Sequence, residues 1–155
     1  MAGSLVLLLP ACGGSGRHVF RTTGIAVRVP AGWHISTRPL NNVTNPVQRF
    51  VLSSARLPEN ANSGKGYVPP SHAVLAQLIE EVPPDNTNPW PNRPARFKLP
   101  HLNGMETFAG NRWGELLFRD RRRHFYIFVW VGRQATSAQT ARLLHALDGL
   151  QVTGS

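Results

Sequence analysis

The segment SHAVLAQLIEEVPP, residues 71–84, decides how the rest of the chain is read. Val74, Leu75, Leu78, Ile79 and Val82 recur at three- and four-residue intervals, the spacing that lines one face of a helix. Ser71 is a good N-cap, because its hydroxyl can accept from an unpaired amide of the first turn. Pro83-Pro84 then ends the element, since proline lacks the backbone donor a helix needs. The spacing predicts a helix over 72–82.

Strands are expected on both sides of it. Upstream, GIAVRVPAGWHIS (24–36) alternates Ile25, Val27 and Val29 against Ala26 and Arg28, and Pro30-Ala31-Gly32 turns the chain before Trp33 and Ile35. QRFVLSSARL (48–57) puts Phe50 and Leu52 on one side and Val51 on the other. Residues 58–70, rich in Asn, Gly and Pro, read as a loop. Downstream, PPDNTNPWPNRP (83–94) carries five prolines and reads as a second long loop, while ARFKLP (95–100) reads as a short strand.

The strongest β signal is RWGELLFRDRRRHFYIFVWVG, 112–132. Leu116 and Phe118 oppose Leu117, Arg119 to Arg123 form the hairpin turn, and the returning strand is apolar on both faces. Phe125, Ile127, Val129 and Val131 alternate there with Tyr126, Phe128 and Trp130, the pattern of a central strand covered on both sides. Thr136 or Ser137 caps a last helix, AQTARLLHALDGL, with Ala141, Leu144 and Leu147 as its buried stripe and Gly149 as its stop. LQVTGS adds a closing edge strand.

Composition bounds the function. The chain has 155 residues, 41% of them hydrophobic, which fits one domain with its own core. It carries 17 basic residues against 8 acidic, a net charge of +9. All but Lys65 and Lys98 of the basic residues are arginine. This charge attracts phosphates, anionic headgroups or acidic polymers, or else is solvated surface from an arginine-rich coding sequence. No nucleophile elbow, phosphate loop or zinc-protease motif occurs. The histidines at 18, 34, 72, 101, 124 and 145 have no ligand spacing. The expectation is no enzyme, no cofactor, no metal, no nucleic-acid partner and a monomer.

The single cysteine ends an apolar run, LVLLLPACGGSGR at 5–17. Leu9-Pro10-Ala11-Cys12 has the form of a bacterial lipobox: a branched apolar residue, a tolerant position, a small residue for cleavage, and a thiol for diacylglycerol. Residues 1–11 then read as signal-peptide-like and 12–19 as the lipidated Cys12 with a Gly/Ser tether. Residues 20–155 are the single domain. Met1 to Ser4 carry no basic side chain, and the alternative is an unstructured N-terminus with an incidental thiol.

Two features are candidates for binding. Arg119, Arg121, Arg122 and Arg123 form the densest charge, a candidate contact for phosphate, carboxylate or headgroups, with a merely solvated turn as the alternative. Trp90, in the proline-rich loop, is the candidate exposed aromatic, whereas Trp33 and Trp113 are expected in packing.

Gly24, Val27, Pro30, Gly32 and Trp33, with Leu143, Leu144, Leu147, Asp148, Leu150 and Val152, resemble the PsbP/DcrB/Mog-like superfamily, in particular its actinobacterial and DcrB-type lipoproteins. The resemblance covers residues 20–153 and implies an α+β domain, an antiparallel β-sheet covered by helices on both faces in an α/β/α sandwich. It also implies an accessory or binding role without catalytic residues. Two readings follow. One is a lipoprotein on the outer face of the bacterial plasma membrane, held by Cys12, binding an unknown protein or anionic ligand. The other is a soluble, secreted or cytoplasmic protein that binds anions or an acidic partner; a small hydrolase is a distant third.

Overall fold

A computed structural model describes residues 18–40, 45–58, 67–84, 89–99, 103–108 and 110–154, with the backbone alone over 103–108. Cys12 and residues 13–17 of the tether lie outside these residues, whereas His18 and Val19, its last two, belong to the first strand.

The helix expected over 72–82 is a strand. Val74–Glu81 (β5) pairs antiparallel with Val47–Ser53 (β4) on one side and with Arg123–Val131 (β8) on the other. Its apolar residues are buried on both faces, Val74, Ala76 and Leu78 on one and Leu75 and Ile79 on the other. A strand buried on both faces loses the alternation that marks a half-buried one, and its apolar run fits a helical template equally well. The neighbours decide: two apolar strands leave a slot that only an extended chain fills, and this overrides helix propensity. Ser71 caps nothing. Its hydroxyl donates to Gln134 Oε1 at 3.0 Å and its carbonyl accepts from Gln134 N at 2.8 Å. Gly132 makes this crossing possible, because a Cβ there would stand 2.2 Å from the Ser71 carbonyl oxygen.

Around β5 the chain builds two antiparallel sheets. The larger runs β3-β4-β5-β8-β7-β6, adding His34–Ser36 (β3), Asn111–Asp120 (β7) and Asn103–Phe108 (β6). The smaller joins His18–Thr22 (β1), Ile25–Val29 (β2) and Gln151–Val152 (β9). One helix, Ser137–Asp148 (α1), is found among the described residues. Thr136 is its N-cap: its hydroxyl accepts from Gln139 N, while Gln139 reaches back to the Thr136 amide. The α/β/α sandwich is therefore corrected to two packed antiparallel sheets with one helix. The second helical layer was to come from 72–82, and that segment lies inside the sheet.

The core fills the space between the inner face of the large sheet and a layer made of the small sheet and α1. Phe50, Leu78, Phe118, Phe125 and Ile127 meet Ile25, Val27 and Val29 there, with Leu143, Ala146 and Leu147 from the helix. The helical stripe thus begins at Leu143. Leu144 is half-buried and Ala141 exposed. Residues 95–99 form no strand, although Phe97 is buried against Phe118 in an edge-to-face contact at 5.8 Å. The proline-rich segment docks on β7 instead: Arg93 N donates to Arg119 O at 2.9 Å, and Arg119 N to Pro91 O at 2.7 Å.

The strand assignment separates two residues that a helical stripe would group. Leu78 is fully buried and Val82 is 43% exposed. Leu78→Ala is expected to cost about 2–5 kcal/mol, and Val82→Ala less than about 0.5 kcal/mol, in denaturant unfolding. Equal costs would restore the helix.

Candidate functional site

The β7–β8 hairpin separates the arginines that the sequence groups. Asp120 pairs with Arg123, so the turn is the two residues Arg121 and Arg122, at φ 49° and 66°. Both central residues are left-handed, as in a type I′ turn, the form whose twist suits a two-residue hairpin. Their side chains are exposed at the tip. Arg119 is exposed too, but its Nε donates to Asn92 Oδ1 at 2.9 Å.

Arg123 does not belong to the exposed cluster. It stands in phase with Phe125 and Ile127, so it points to the core face and is 8% exposed. There its Nε and Nη2 donate to Glu80 Oε1 and Oε2 at 2.7 and 2.6 Å, a two-pronged pair, and its guanidinium lies over the Phe125 ring. Arg49 Nε donates to the same Glu80 Oε2 at 2.5 Å. Burial pushes the Glu80 carboxyl up, but the hydrogen bonds and charges of Arg123 and Arg49 outweigh it and hold the group below its ordinary 4.5. Arg123 is thus a structural cation, committed before any ligand arrives. The long reach of its Nη1, 3.5 Å to the Gly24 and Thr153 carbonyls, places the β1–β2 turn at this same end. A Cβ on Gly24 would meet Thr153 Oγ1 at 2.7 Å.

Trp90 is not exposed. It is 8% accessible, stacked on His124 at 4.7 Å and edge-on to Tyr126 at 4.8 Å. It roofs one end of the outer face of the large sheet, the face turned away from the core. Trp33 is buried in the core, as expected of packing.

The rest of that outer face carries the most distinctive chemistry among the described residues. Leu75, Trp130 and Trp113 stand in register across three strands, and Gln77 and Phe128 form the next row. With Tyr67 they line a groove of about 270 Å³, near the lower bound for a small-ligand site. Gln77 Nε2 donates to Gln48 Oε1 at 2.7 Å, and the same oxygen accepts from Leu40 N at 3.0 Å, so the groove floor is fixed. The walls are not satisfied. Among the described residues, the buried Trp130 indole nitrogen and Tyr67 hydroxyl have no hydrogen-bond partner. Burial pushes the Tyr67 hydroxyl above its ordinary 10.0, so it stays protonated and can donate. Each buried donor without an acceptor costs about 1–3 kcal/mol. The two idle donors in this aromatic groove are free to pair with acceptors carried on an apolar surface.

Phe128 and Trp130 were legible as the second face of the returning strand, whereas Trp113, expected in packing, is half-buried at the groove. Tyr67, from the loop at 58–70, gave no signal. The chain matches no family model, no curated protein and no solved structure.

Two stability measurements check this geometry. A carboxyl held below its unfolded value stabilises fully above that value, and the contribution disappears as pH falls through the folded one. The stability gap between wild type and Glu80→Gln is therefore expected to shrink on acidification from about pH 7 to about pH 3. A constant gap would mean that Glu80 is not the linked group. At the tip, left-handed arginines cost roughly 1–2 kcal/mol each. Changing Arg121 to Asn and Arg122 to Gly is expected to raise the melting temperature by about 2–8 °C; no rise would deny the turn.

Proposed function

We propose that this chain is a non-enzymatic binding module of the bacterial cell envelope, held at the outer face of the plasma membrane by a lipid on Cys12. Its ligand site is the aromatic groove on the outer face of the large sheet. The observation that carries this reading is the pair of buried donors, Trp130 Nε1 and the Tyr67 hydroxyl, left without acceptors on one apolar wall. An extended, proline-rich segment has the matching chemistry. It makes no internal hydrogen bonds, so its carbonyls are free to accept, and its rings pack on aromatic faces.

The four tryptophans report on this directly, one indole N–H resonance each. On addition of a capped proline-rich peptide, the Trp130 and Trp113 resonances are expected to shift, with Trp130 assigned by Trp130→Phe. Trp33 in the core and Trp90 on His124 should stay in place. Shifts at Trp33 or Trp90 alone, or none, would overturn the groove. The anchor is tested separately: a metabolic fatty-acid probe should mark the wild type and not Cys12→Ser, and label in both or in neither would remove it.

A further inference from the structure

The small sheet has an outer face of its own, and its chemistry differs from that of the groove. On β1 and β2 the residues that point away from the core include Val19, Arg21 and Arg28, since Ile25, Val27 and Val29 point inward. Val19 is directly opposite Arg28 and is 48% exposed, one of few large apolar side chains so exposed. Arg28 also borders a cleft of about 360 Å³ between the end of β2 and the C-terminal half of α1, where Arg142 and His145 are exposed on the opposite wall. Val29, Pro30, Ala31 and Ala146 make the apolar part of the lining. Asp148 is the one acidic residue there, and its Oδ1 already accepts from Phe97 N at 2.7 Å. Among the described residues, the side chains of Arg21, Arg28 and Arg142 have no ion-pair or hydrogen-bond partner.

Of these cations, Arg28 and Arg142 stand beside the end of β1 that joins the tether, and Arg21 stands toward the Thr23-Gly24 end. His18, the first residue of β1, pairs with Val29, and Val29 lines the cleft. Cys12 lies six residues before His18, a reach of about 20 Å even fully extended. The Arg121–Arg122 tip is at the other end of β1, because the Thr23-Gly24 turn sits against Arg123. Of the two arginine clusters, the one with Arg28 and Arg142 is closer to His18, from which the chain runs back to Cys12.

We propose that this face, Val19, Arg21 and Arg28 with the Arg142–His145 cleft, is a docking surface for the anionic headgroups of the membrane carrying the anchor. The inference rests on the lipoprotein reading but not on the aromatic groove. Guanidinium pairs with phosphate through two parallel hydrogen bonds, and an exposed valine among cations suits the boundary between headgroup and acyl chain. Diacylglycerol on Cys12 brings two acyl chains and anchors the chain by itself; basic residues beside it add headgroup attraction that fixes how the domain sits on the bilayer. The aromatic groove then stays free, on a different sheet.

The test uses the full chain with Cys12→Ser, so its outcome is independent of lipidation. Binding is measured to phosphatidylcholine vesicles with and without phosphatidylglycerol. Binding that requires phosphatidylglycerol and weakens with salt is expected. Arg28→Ser with Arg142→Ser should weaken it on the order of tenfold or more. Arg121→Ser with Arg122→Ser removes the same charge from the other end and should change it by less than about threefold. Circular dichroism confirms that both variants are folded. Equal losses in the two variants, or binding indifferent to phosphatidylglycerol, would overturn the surface. So would soluble glycerol phosphate binding as tightly as the vesicles, which would make the cleft a small-anion site.

Discussion

The eight-residue ladder between β5 and β8, from Val74 opposite Val131 to Glu81 opposite His124, is the constraint on which the other layers depend. Both strands are apolar on both faces, so neither can lie at an edge or present a face to water. Each face needs a cover, and the chain supplies two of different kinds. The inner cover is regular: the small sheet and α1 bring Val27, Leu143 and Leu147 against Leu78 and Ile127. The outer cover is irregular, made from Trp90 on the proline-rich segment, Leu40 near β3 and Tyr67 before β5. Irregular segments fit less completely than a helix or sheet. The groove is where that fit stops short, and the partnerless donors of Trp130 and Tyr67 lie on its wall.

Much of the strand pattern was legible because it is half-buried. In β2, Ile25, Val27 and Val29 are buried and Arg28 exposed, as alternation requires, while Ala26 on the outward side is buried as well. The β7–β8 hairpin, the Thr136 cap and a closing edge strand at Gln151–Val152 were legible as well. The failure at 72–82 has one physical reason. Periodicity reports a difference between two faces, and β5 has none. Once β5 is taken as a helix, Glu80 falls on a solvent-facing turn and Arg123 joins its neighbours at the hairpin tip. Once β5 is a strand, Glu80 is in phase with Leu78 and Arg123 with Phe125. Their ion pair then follows from register.

The site was legible only in part. Alternation placed Phe128 and Trp130 on a second face, but no local signal says which loop will cover it. Trp90 and Tyr67 come from segments rich in Pro, Asn and Gly, whose path is set by docking and not by propensity. The arginines divide by a similar logic. A guanidinium on a strand is committed or free according to the face it takes, so Arg123 is spent on Glu80 while Arg28, on an outward position, is not. Net charge counts both alike.

The docking of residues 91–93 against Arg119 bears on how this molecule behaves in company. The ladder between β6 and β7 reaches only to Asn103 opposite Glu115, so without further cover the far stretch of β7 would offer bare amides and carbonyls to any passing chain. The Pro91-Asn92-Arg93-Pro94 segment takes that position with a single parallel bridge at Asn92. Its two prolines have no amide hydrogen to give, so it can accept a place on the sheet but cannot hand the pattern on. At the opposite margin, β3 is three residues long, too short to template a neighbour. A sheet so rich in apolar and aromatic side chains is prone to fibrillar growth. Here a proline cap on the far stretch of β7 and a short strand at β3 reduce the open edge available for that growth.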